Sequence, residues 1–334
     1  MLKKLRASML YGALSVLMTG SISMAAFADT SSTTTSGVGI GNGYKISPVR
    51  TDLTINPGQS QNLTLYVQNI SSVTENLQVL TNDFTARPDN SGGPAILLNG
   101  QSLPKHGLTK YITVTPSKAT LQPNDQAQVT VTISLPKDIV PGGYYGAVRV
   151  APQGTVSGKN VNLAASVASL ILVRVPGNYK EQVSVSNFQV LSGTNPHTVF
   201  TTSKGITASV VFDNTGDVQE QPFGKVELKK GSKILGTYDI NNTYPHGNVL
   251  PDSSRQFTVP LDKVGSFGKY TLVGNFGYGT NGQLLSAQTT FYVIPASAII
   301  IALIVLALLI ALAIVFPRYM RRHDSRVLRR AGRR

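Results

Sequence analysis

The 334-residue sequence predicts an all-β protein with two tandem immunoglobulin-like β-sandwiches, followed by one C-terminal transmembrane α-helix. Three observations lead to this prediction. Segments in which apolar and polar residues alternate recur between Tyr44 and Ile294, as expected for half-buried strands. Gly, Pro, Asn and Asp form turn motifs between these segments. An apolar run, Ala296–Phe316, follows the last of them.

The apolar run contains no charged residue, no amide, no Gly and no internal Pro. As a helix rising 1.5 Å per residue it would be roughly 30 Å long, which is the thickness of the hydrocarbon core of a bilayer. Eight arginines and one aspartate follow it, and such a density of Arg marks the cytoplasmic side of a span. We therefore predict a transmembrane helix over 295–316 and an Arg-rich cytoplasmic tail over 317–334. The orienting residues next to the span are Arg318, Arg321 and Arg322.

The N-terminus has the features of a secretory signal peptide. A basic start is followed by an apolar stretch and then by Ala26-Phe27-Ala28, which fits the small-residue cleavage motif. We predict a signal peptide over 1–28, with Ala26 and Ala28 as the cleavage-site residues; an uncleaved first membrane helix is the alternative. Residues 29–43 are mostly Ser, Thr and Gly, which predicts a flexible arm.

The composition limits the possible functions. The formal charge is +14, but most of it lies in the leader and the tail, because the stretch from Asp29 to Pro295 contains 19 basic and 15 acidic residues. This distribution reflects membrane topology and leaves no basic patch for nucleic acid. The absence of Cys excludes disulfides, a thiol nucleophile and cysteine-ligated zinc, and the absence of Trp excludes the core of antibody domains.

The first sandwich is predicted over 44–176. Gln61–Asn69 and Ala127–Leu135 alternate most clearly, with Val129, Val131 and Ile133 on the inward face of the second segment. A long irregular insertion is predicted over Thr85–Lys110. Four further strands are predicted: Lys45–Ile55, Glu75–Phe84, Tyr144–Val150 and Leu163–Val175.

The second sandwich is predicted over 177–294. A hairpin turn is predicted at Lys230-Gly231-Ser232, and the last strand runs almost directly into the apolar helix, which places this sandwich close to the bilayer. A Gly-x-Tyr motif occurs late in both sandwiches, at Gly142 and at Gly268, and resembles the start of the penultimate strand of immunoglobulin-like domains. The alternating segments include Ile206–Phe212, Phe257–Leu261, Tyr270–Phe276 and Ala287–Val293.

Residues that could carry chemistry are few. The four histidines are isolated from one another and from carboxylates at metal-binding spacing. Asp83 is a plausible inward-facing acid on a strand, whereas Asp213 and Asp217 flank a turn and are too few to indicate calcium. No nucleophile elbow, phosphate-binding loop or zinc-protease motif occurs. We therefore expect no enzyme, no cofactor and no metal, and the ligand-binding residues stay unassigned.

Several segments of the first sandwich resemble the WxL-interacting proteins of Gram-positive-type cell envelopes. They are Ile46-Ser47-Pro48, the Asn56-Pro57-Gly58-Gln59 turn and its following strand, Asn82-Asp83-Phe84-Thr85, and Pro141-Gly142-Gly143-Tyr144. The second sandwich matches that family only by position and strand pattern. The resemblance implies a first domain that contacts peptidoglycan and a second that binds partner surface proteins or host matrix.

These observations favour a single-pass cell-membrane protein with an extracellular N-terminus and a cytoplasmic C-terminus. Its expected function is that of a binding or scaffold protein at the cell surface, which engages cell-wall glycan, surface proteins or host proteins. Loops or exposed strand edges would make the contacts. An accessory or sensory subunit that signals through the cytoplasmic tail is the alternative, and the oligomeric state is not indicated.

Overall fold

The computed structural model describes residues 43–98, 100–153 and 166–331. The predicted signal peptide, its residues Ala26 and Ala28, and all of the predicted arm except Gly43 lie outside the described residues. The side chains of Arg321 and Arg322 also lie outside the description, although their backbone is described. The fold class predicted from the sequence is confirmed, because the described residues form four sheets, arranged as two sandwiches, and one C-terminal helix.

Among the described residues, ten strands and one 3-10 turn (Thr109–Tyr111) build the first sandwich. One sheet has the order β1-β3-β8-β6, and the other has the order β2-β10-β9-β4-β5, with β7 also paired to β4. The strands are β1 (Tyr44–Ser47), β2 (Arg50–Thr54), β3 (Ser60–Asn69), β4 (Glu75–Ala86), β5 (Pro94–Ile96), β6 (Ile112–Thr115), β7 (Lys118–Leu121), β8 (Gln126–Ser134), β9 (Gly142–Pro152) and β10 (Val167–Val175).

The alternating segments of this sandwich face the core as predicted. On β8, Val129, Val131 and Ile133 are buried, and on β3 the same holds for Leu65 and Val67. They pack against apolar residues of the opposite sheet in one continuous core. The period-two pattern therefore identified the inward face of both strands correctly.

The single strand predicted over Lys45–Ile55 is wrong. The structure has two strands there, and they belong to different sheets: β1 pairs antiparallel with β3, whereas β2 pairs parallel with β10. Pro48 lies between them and has no N–H to donate to a sheet, which explains why the ladder ends there. Pro116 separates β6 from β7 in the same way. Neither of these two strands is among those predicted from the sequence.

The second sandwich consists of nine strands in two sheets. Their orders are β12-β11-β14-β17 and β13-β19-β18-β15-β16. The strands are β11 (Val183–Ser192), β12 (Asn195–Pro196), β13 (Val199–Phe200), β14 (Ile206–Asn214), β15 (Phe223–Lys230), β16 (Lys233–Ile240), β17 (Ser253–Pro260), β18 (Gly268–Tyr278) and β19 (Gln283–Val293).

Strand β11 is not among the strands predicted from the sequence, although it is ten residues long. Its register against β14 shifts between Val185 and Asn187, so one residue is extra on the β11 side. A β-bulge of this kind interrupts the alternation of side chains, because the residues after it change face. The hairpin turn predicted around Gly231 is present between β15 and β16, and Gly231 has a positive φ of 60°.

The two Gly-x-Tyr motifs begin the penultimate strand of each sandwich, as expected. Gly142 and Gly268 have positive φ values of 146° and 126°, a region that favours glycine. In both cases the tyrosine hydroxyl donates to a carbonyl just upstream: Tyr144 to Val140 at 2.8 Å, and Tyr270 to Phe267 at 3.1 Å. The matching positions show that the two sandwiches share this corner.

One helix, α1 (Ala296–Ala331), ends the described chain. Its part from Ala296 to Arg318 is long and apolar enough to cross a membrane, and none of that part is buried in the protein. The helix also continues through Pro317, past the end predicted at 316. Arg318 is exposed at the end of the apolar part. A helix with apolar residues on all faces and no protein around it is suited to associate with lipid.

Candidate binding cleft at the junction of the sandwiches

The two sandwiches meet through an apolar patch on the outer face of β9 and its neighbours. Phe84, Tyr145 and Leu172 of the first sandwich are each 2% exposed, and Leu250 of the second sandwich packs with them. Strand β9 is consequently buried on both faces, since its other face contributes to the core of the first sandwich. The alternating pattern predicts strands buried on one face, and the packed junction explains the difference.

Hydrogen bonds join the sandwiches around this patch. Arg174 on β10 donates to the Gln219 carbonyl at 3.0 Å, and the Tyr145 hydroxyl donates to the Gln219 side chain at 3.1 Å. The Gly143 N–H donates to the Asp217 carbonyl at 2.8 Å. All three contacts join the first sandwich to one short segment of the second, residues 217–219.

The region Thr85–Lys110, predicted as an irregular insertion, forms part of the junction. Its Asn90 carbonyl accepts a hydrogen bond from the Gln256 N–H of β17 at 2.8 Å. Its Lys105 ammonium lies 2.7 Å from the Asp217 carboxylate, and this contact lowers the pKa of Asp217 and raises that of Lys105. The region also includes the short strand β5 and the buried residue Leu108. It is therefore more ordered than the sequence indicated.

A cleft of about 760 Å³ opens beside these contacts. We call it the junction cleft, and both sandwiches line it. Its volume falls in the range of sites that bind small molecules. The chemically distinctive lining residues are Asp52, Arg174, Glu220, Phe223, His246 and Thr280.

Arg174, which lines the junction cleft, belongs to an ion pair. Arg174 and Glu181 lie 3.2 Å apart and are both largely shielded from solvent. Glu181 also accepts hydrogen bonds from the N–H and the hydroxyl of Thr280, in the turn between β18 and β19. An ion pair with this many hydrogen bonds has a well-defined geometry, because its carboxylate oxygens are all engaged.

Glu220 is the exceptional group in the junction cleft. It is 2% exposed, and its Oε2 accepts a hydrogen bond from the Gly279 N–H at 3.0 Å. Its Oε1 is buried and has no hydrogen-bond partner among the described residues. Burial, reinforced by the neighbouring Glu181 carboxylate, raises the pKa of Glu220 to about 7. This carboxyl group therefore changes protonation near neutral pH.

An aromatic pair also lines the junction cleft. The rings of Phe223 and His246 are parallel, with centroids 4.9 Å apart, and Phe223 is 44% exposed. The His246 carbonyl accepts a hydrogen bond from Arg50 of the first sandwich at 3.2 Å, and its ring Nδ1 lies 2.5 Å from the Asn241 carbonyl. An exposed ring face next to polar groups is a surface on which a ligand with its own apolar face can stack.

Asp83, predicted as an inward-facing acid, is buried and has a structural role. Its carboxylate accepts hydrogen bonds from the N–H groups of Leu103, Leu108 and Thr109, at 2.8 to 2.9 Å, and from the Thr109 hydroxyl at 2.6 Å. It holds the Thr85–Lys110 region against β4. Its oxygens are used in this way, so Asp83 does not present a free carboxylate to a ligand.

Asp213 and Asp217 have different partners in the structure. The Asp213 carboxylate accepts a hydrogen bond from Ser186, while Asp217 pairs with Lys105. Within the described ranges, no three His, Asp or Glu side chains come together as a metal site. Neither aspartate contributes to the lining of the junction cleft.

No sequence motif singles out Arg174, Glu220, Phe223 and His246 as a group. Arg174 lies in the last strand of the first sandwich, and the others lie between 220 and 246 in the second. No spacing rule connects residues that meet only when two domains pack together. The sequence contains one local indication of this site. Gln219-Glu220-Gln221 is a polar segment that does not belong to a strand of alternating apolar and polar residues.

No protein-family model matches this chain, and no curated protein does. Among solved structures, it is similar to a chain of the chaperone–tip adhesin complex of CFA/I fimbriae biogenesis, with 13% identity, coverage of 76% of this chain and 100% of that one, and a TM-score of 0.37. It is also similar to the E. coli chaperone DraB, with 15% identity, coverage of 76% of this chain and 98% of that one, and a TM-score of 0.33. For the Pseudomonas aeruginosa chaperone CupB2 the identity is 12%, the coverage is 72% of this chain and 97% of that one, and the TM-score is 0.31. Identities this low carry no information about a ligand or a partner.

Proposed function

We propose that this chain is a single-pass membrane protein that binds a ligand at the cell surface through the junction cleft. The observation that carries the proposal is the cleft itself, formed by two sandwiches that are packed together ahead of an exposed apolar helix. Binding sites occur preferentially between domains, where two surfaces supply different groups.

The composition of the junction cleft favours a ligand with both polar groups and an apolar face. Arg174 supplies charge, Glu220 supplies an oxygen with no partner among the described residues, and Phe223 supplies an exposed ring. Sugars present such surfaces, since their hydroxyl groups bond to charged side chains while their C–H faces pack on aromatic rings. We therefore propose cell-wall glycan as the ligand, in agreement with the resemblance of the first sandwich to WxL-interacting proteins.

The proposed topology places both sandwiches outside the cell and the Arg-rich segment after Arg318 in the cytoplasm. The asymmetry of the charges around α1 supports it: eight arginines follow the apolar part, while the twenty residues before Ala296 contain no charged residue. Protease added to intact cells should therefore digest Tyr44–Ile294 and spare the C-terminal segment. Digestion of the C-terminal segment alone would contradict this topology.

Binding is tested with the full chain in detergent and purified, insoluble peptidoglycan. We expect the chain to sediment with the glycan, and we expect Phe223→Ala to reduce the bound fraction several-fold because it removes the stacking surface. Tyr66→Ala is the matched control, since Tyr66 is a similarly exposed aromatic residue (40%) on β3, outside the junction cleft. Equal sedimentation of both variants and the wild type would place any binding elsewhere. No sedimentation of the wild type would reject glycan as the ligand.

A further inference from the structure

The second sandwich has an end that faces away from the first. We call it the helix end. Its position follows from the strand registers: Ser192 pairs with Ile206, Thr207 with Pro260, and Gly268 with Val293. The loops 193–205, 229–233 and 261–267 therefore lie at the same end of the sandwich as the start of α1.

The connection between the sandwich and α1 is very short. The Ile294 N–H still donates to the Phe200 carbonyl of β13 at 2.8 Å, and α1 begins at Ala296. Only Pro295 separates a residue bonded to the sheet from the first helical residue. If α1 enters a bilayer, so short a connection brings the loops of the helix end to the level of the lipid headgroups.

The helix end is strongly basic. Five exposed lysines lie there, and none of them makes an ion pair within the described ranges. A sixth, Lys229, pairs with Glu227 at 2.8 Å, and Asp262 is the acidic residue of the three loops. The five exposed lysines are Lys204, Lys230, Lys233, Lys263 and Lys269.

Exposed apolar side chains lie among these lysines. Phe267 is 60% exposed, Val199 51%, Ile234 49% and Tyr292 42%. Tyr292 and Val199 are neighbours, because β13 pairs with the end of β19. Aromatic and apolar side chains mixed with lysines are typical of surfaces that rest at a membrane interface, where each group finds a matching layer.

We propose that the helix end is a lipid-docking surface that binds the anionic headgroups of the membrane entered by α1. Its lysines would meet the headgroup phosphates, and Phe267 and its apolar neighbours would insert at the boundary with the acyl chains. Exposed lysines within a Debye length of an anionic surface are attracted to it, and the attraction is screened by salt. This inference depends on the membrane-anchoring part of the proposed function and is independent of the junction cleft.

The chain itself offers a clean probe, because it contains neither Trp nor Cys. Phe267→Trp places the chain's single tryptophan at the helix end, and the full chain is then reconstituted into nanodiscs of pure phosphatidylcholine or of phosphatidylcholine with phosphatidylglycerol. We expect the Trp emission to shift to shorter wavelength, and acrylamide quenching to fall, in the anionic nanodiscs. Added salt should reverse both changes.

Lysine variants of the Phe267→Trp chain identify the groups responsible. Lys233→Gln, Lys263→Gln and Lys269→Gln in combination should abolish the shift in anionic nanodiscs. The matched control is the combination Lys45→Gln, Lys118→Gln and Lys137→Gln, which removes the same charge from exposed positions of the first sandwich and should leave the shift unchanged. Equal emission in neutral and anionic nanodiscs, or equal loss in both triple variants, would overturn the proposal.

A second measurement separates this inference from the membrane anchor. After alkaline carbonate extraction, a chain anchored by α1 floats with lipid vesicles. A chain that does not float contradicts the anchor, and with it the lipid-docking surface. A chain that floats but has a Trp insensitive to anionic lipid contradicts only the lipid-docking surface.

Discussion

The two ends of the second sandwich differ in the burial and pairing of their charged side chains. At the junction end, Glu181 and Asp217 are paired with cations, and Glu220 is buried with one oxygen unpartnered among the described residues. At the helix end, Lys233 and Lys263 are exposed and make no ion pair within the described ranges. Charged groups that become buried need partners or become neutral, as the raised pKa of Glu220 indicates, whereas charges that stay in contact with water or headgroups need neither. The difference therefore marks one end as an internal joint and the other as an outer surface.

The largest expected effect concerns the apolar part of the junction. Leu250→Ala should lower the free energy of unfolding by about 3–4 kcal/mol, because it leaves a cavity against Tyr145 and Leu172. Denaturant unfolding of the full chain in detergent would measure it, with a separate transition for each sandwich as a further sign of a weakened junction. Leu284→Ala is the control at an 84% exposed leucine and should change stability by less than about 0.5 kcal/mol. Equal effects would contradict the role of Leu250.

The next effect is a pH dependence due to Glu220. Its pKa is raised from 4.5 to about 7 in the folded state, so between these values the folded protein holds the proton more tightly than the unfolded chain does. The contribution of Glu220 to stability is therefore fully present below pH 4.5 and is lost as the pH rises from 4.5 through 7, by about 3 kcal/mol.

The variant Glu220→Gln tests that contribution. The amide keeps an oxygen that can accept from the Gly279 N–H, but it does not titrate. The fall in stability between pH 5 and pH 8 should be smaller in this variant than in the wild type, as measured by thermal unfolding at several pH values. Asp239→Asn, at an exposed position on β16, should leave the wild-type profile intact. Identical profiles for wild type and Glu220→Gln would contradict the buried carboxyl.

A smaller effect is expected at the ion pair between Lys105 and Asp217. Asp217→Asn should destabilise the chain by about 1 kcal/mol at most, because Lys105 is 64% exposed and such pairs are screened by solvent. The effect should shrink at high salt, which chemical denaturation with urea can measure. A loss well above that value would show that the hydrogen bond from the Lys180 N–H to Asp217 matters more than the ion pair.

The smallest effect is expected at the helix end. The combination Lys233→Gln, Lys263→Gln and Lys269→Gln should change the stability of the detergent-solubilised chain by less than about 0.5 kcal/mol, since no ion pair is lost within the described ranges. Urea unfolding beside the wild type would measure it. A large loss would mean that these lysines support the fold, and the contrast between the two ends would then fail.

Local patterns predicted most of the strands. Strand β8 was found with its inward face because its alternation is unbroken, and β18 was found from Tyr270 to Phe276 for the same reason. Strand β11 was missed because its bulge breaks the alternation, and Lys45–Ile55 was read as one strand although Pro48 divides it between two sheets. Pattern reading fails where a strand bends, since the rule assumes a regular pleat.

The sequence by itself determined the all-β class, the inward faces of the regular strands and the apolar helix, because these depend on the order of residues within a short window. Tertiary structure alone decided the junction cleft and the helix end. Arg174 and Glu220 line the same cleft only because two sandwiches pack together. Similarly, Lys204, Lys233 and Lys263 lie at the same end as the start of α1 only because the strands return to that end. No charged residue occurs in the twenty positions before Ala296. The residues next to α1 in sequence therefore give no sign of the basic surface, which the fold assembles from loops that are distant in sequence.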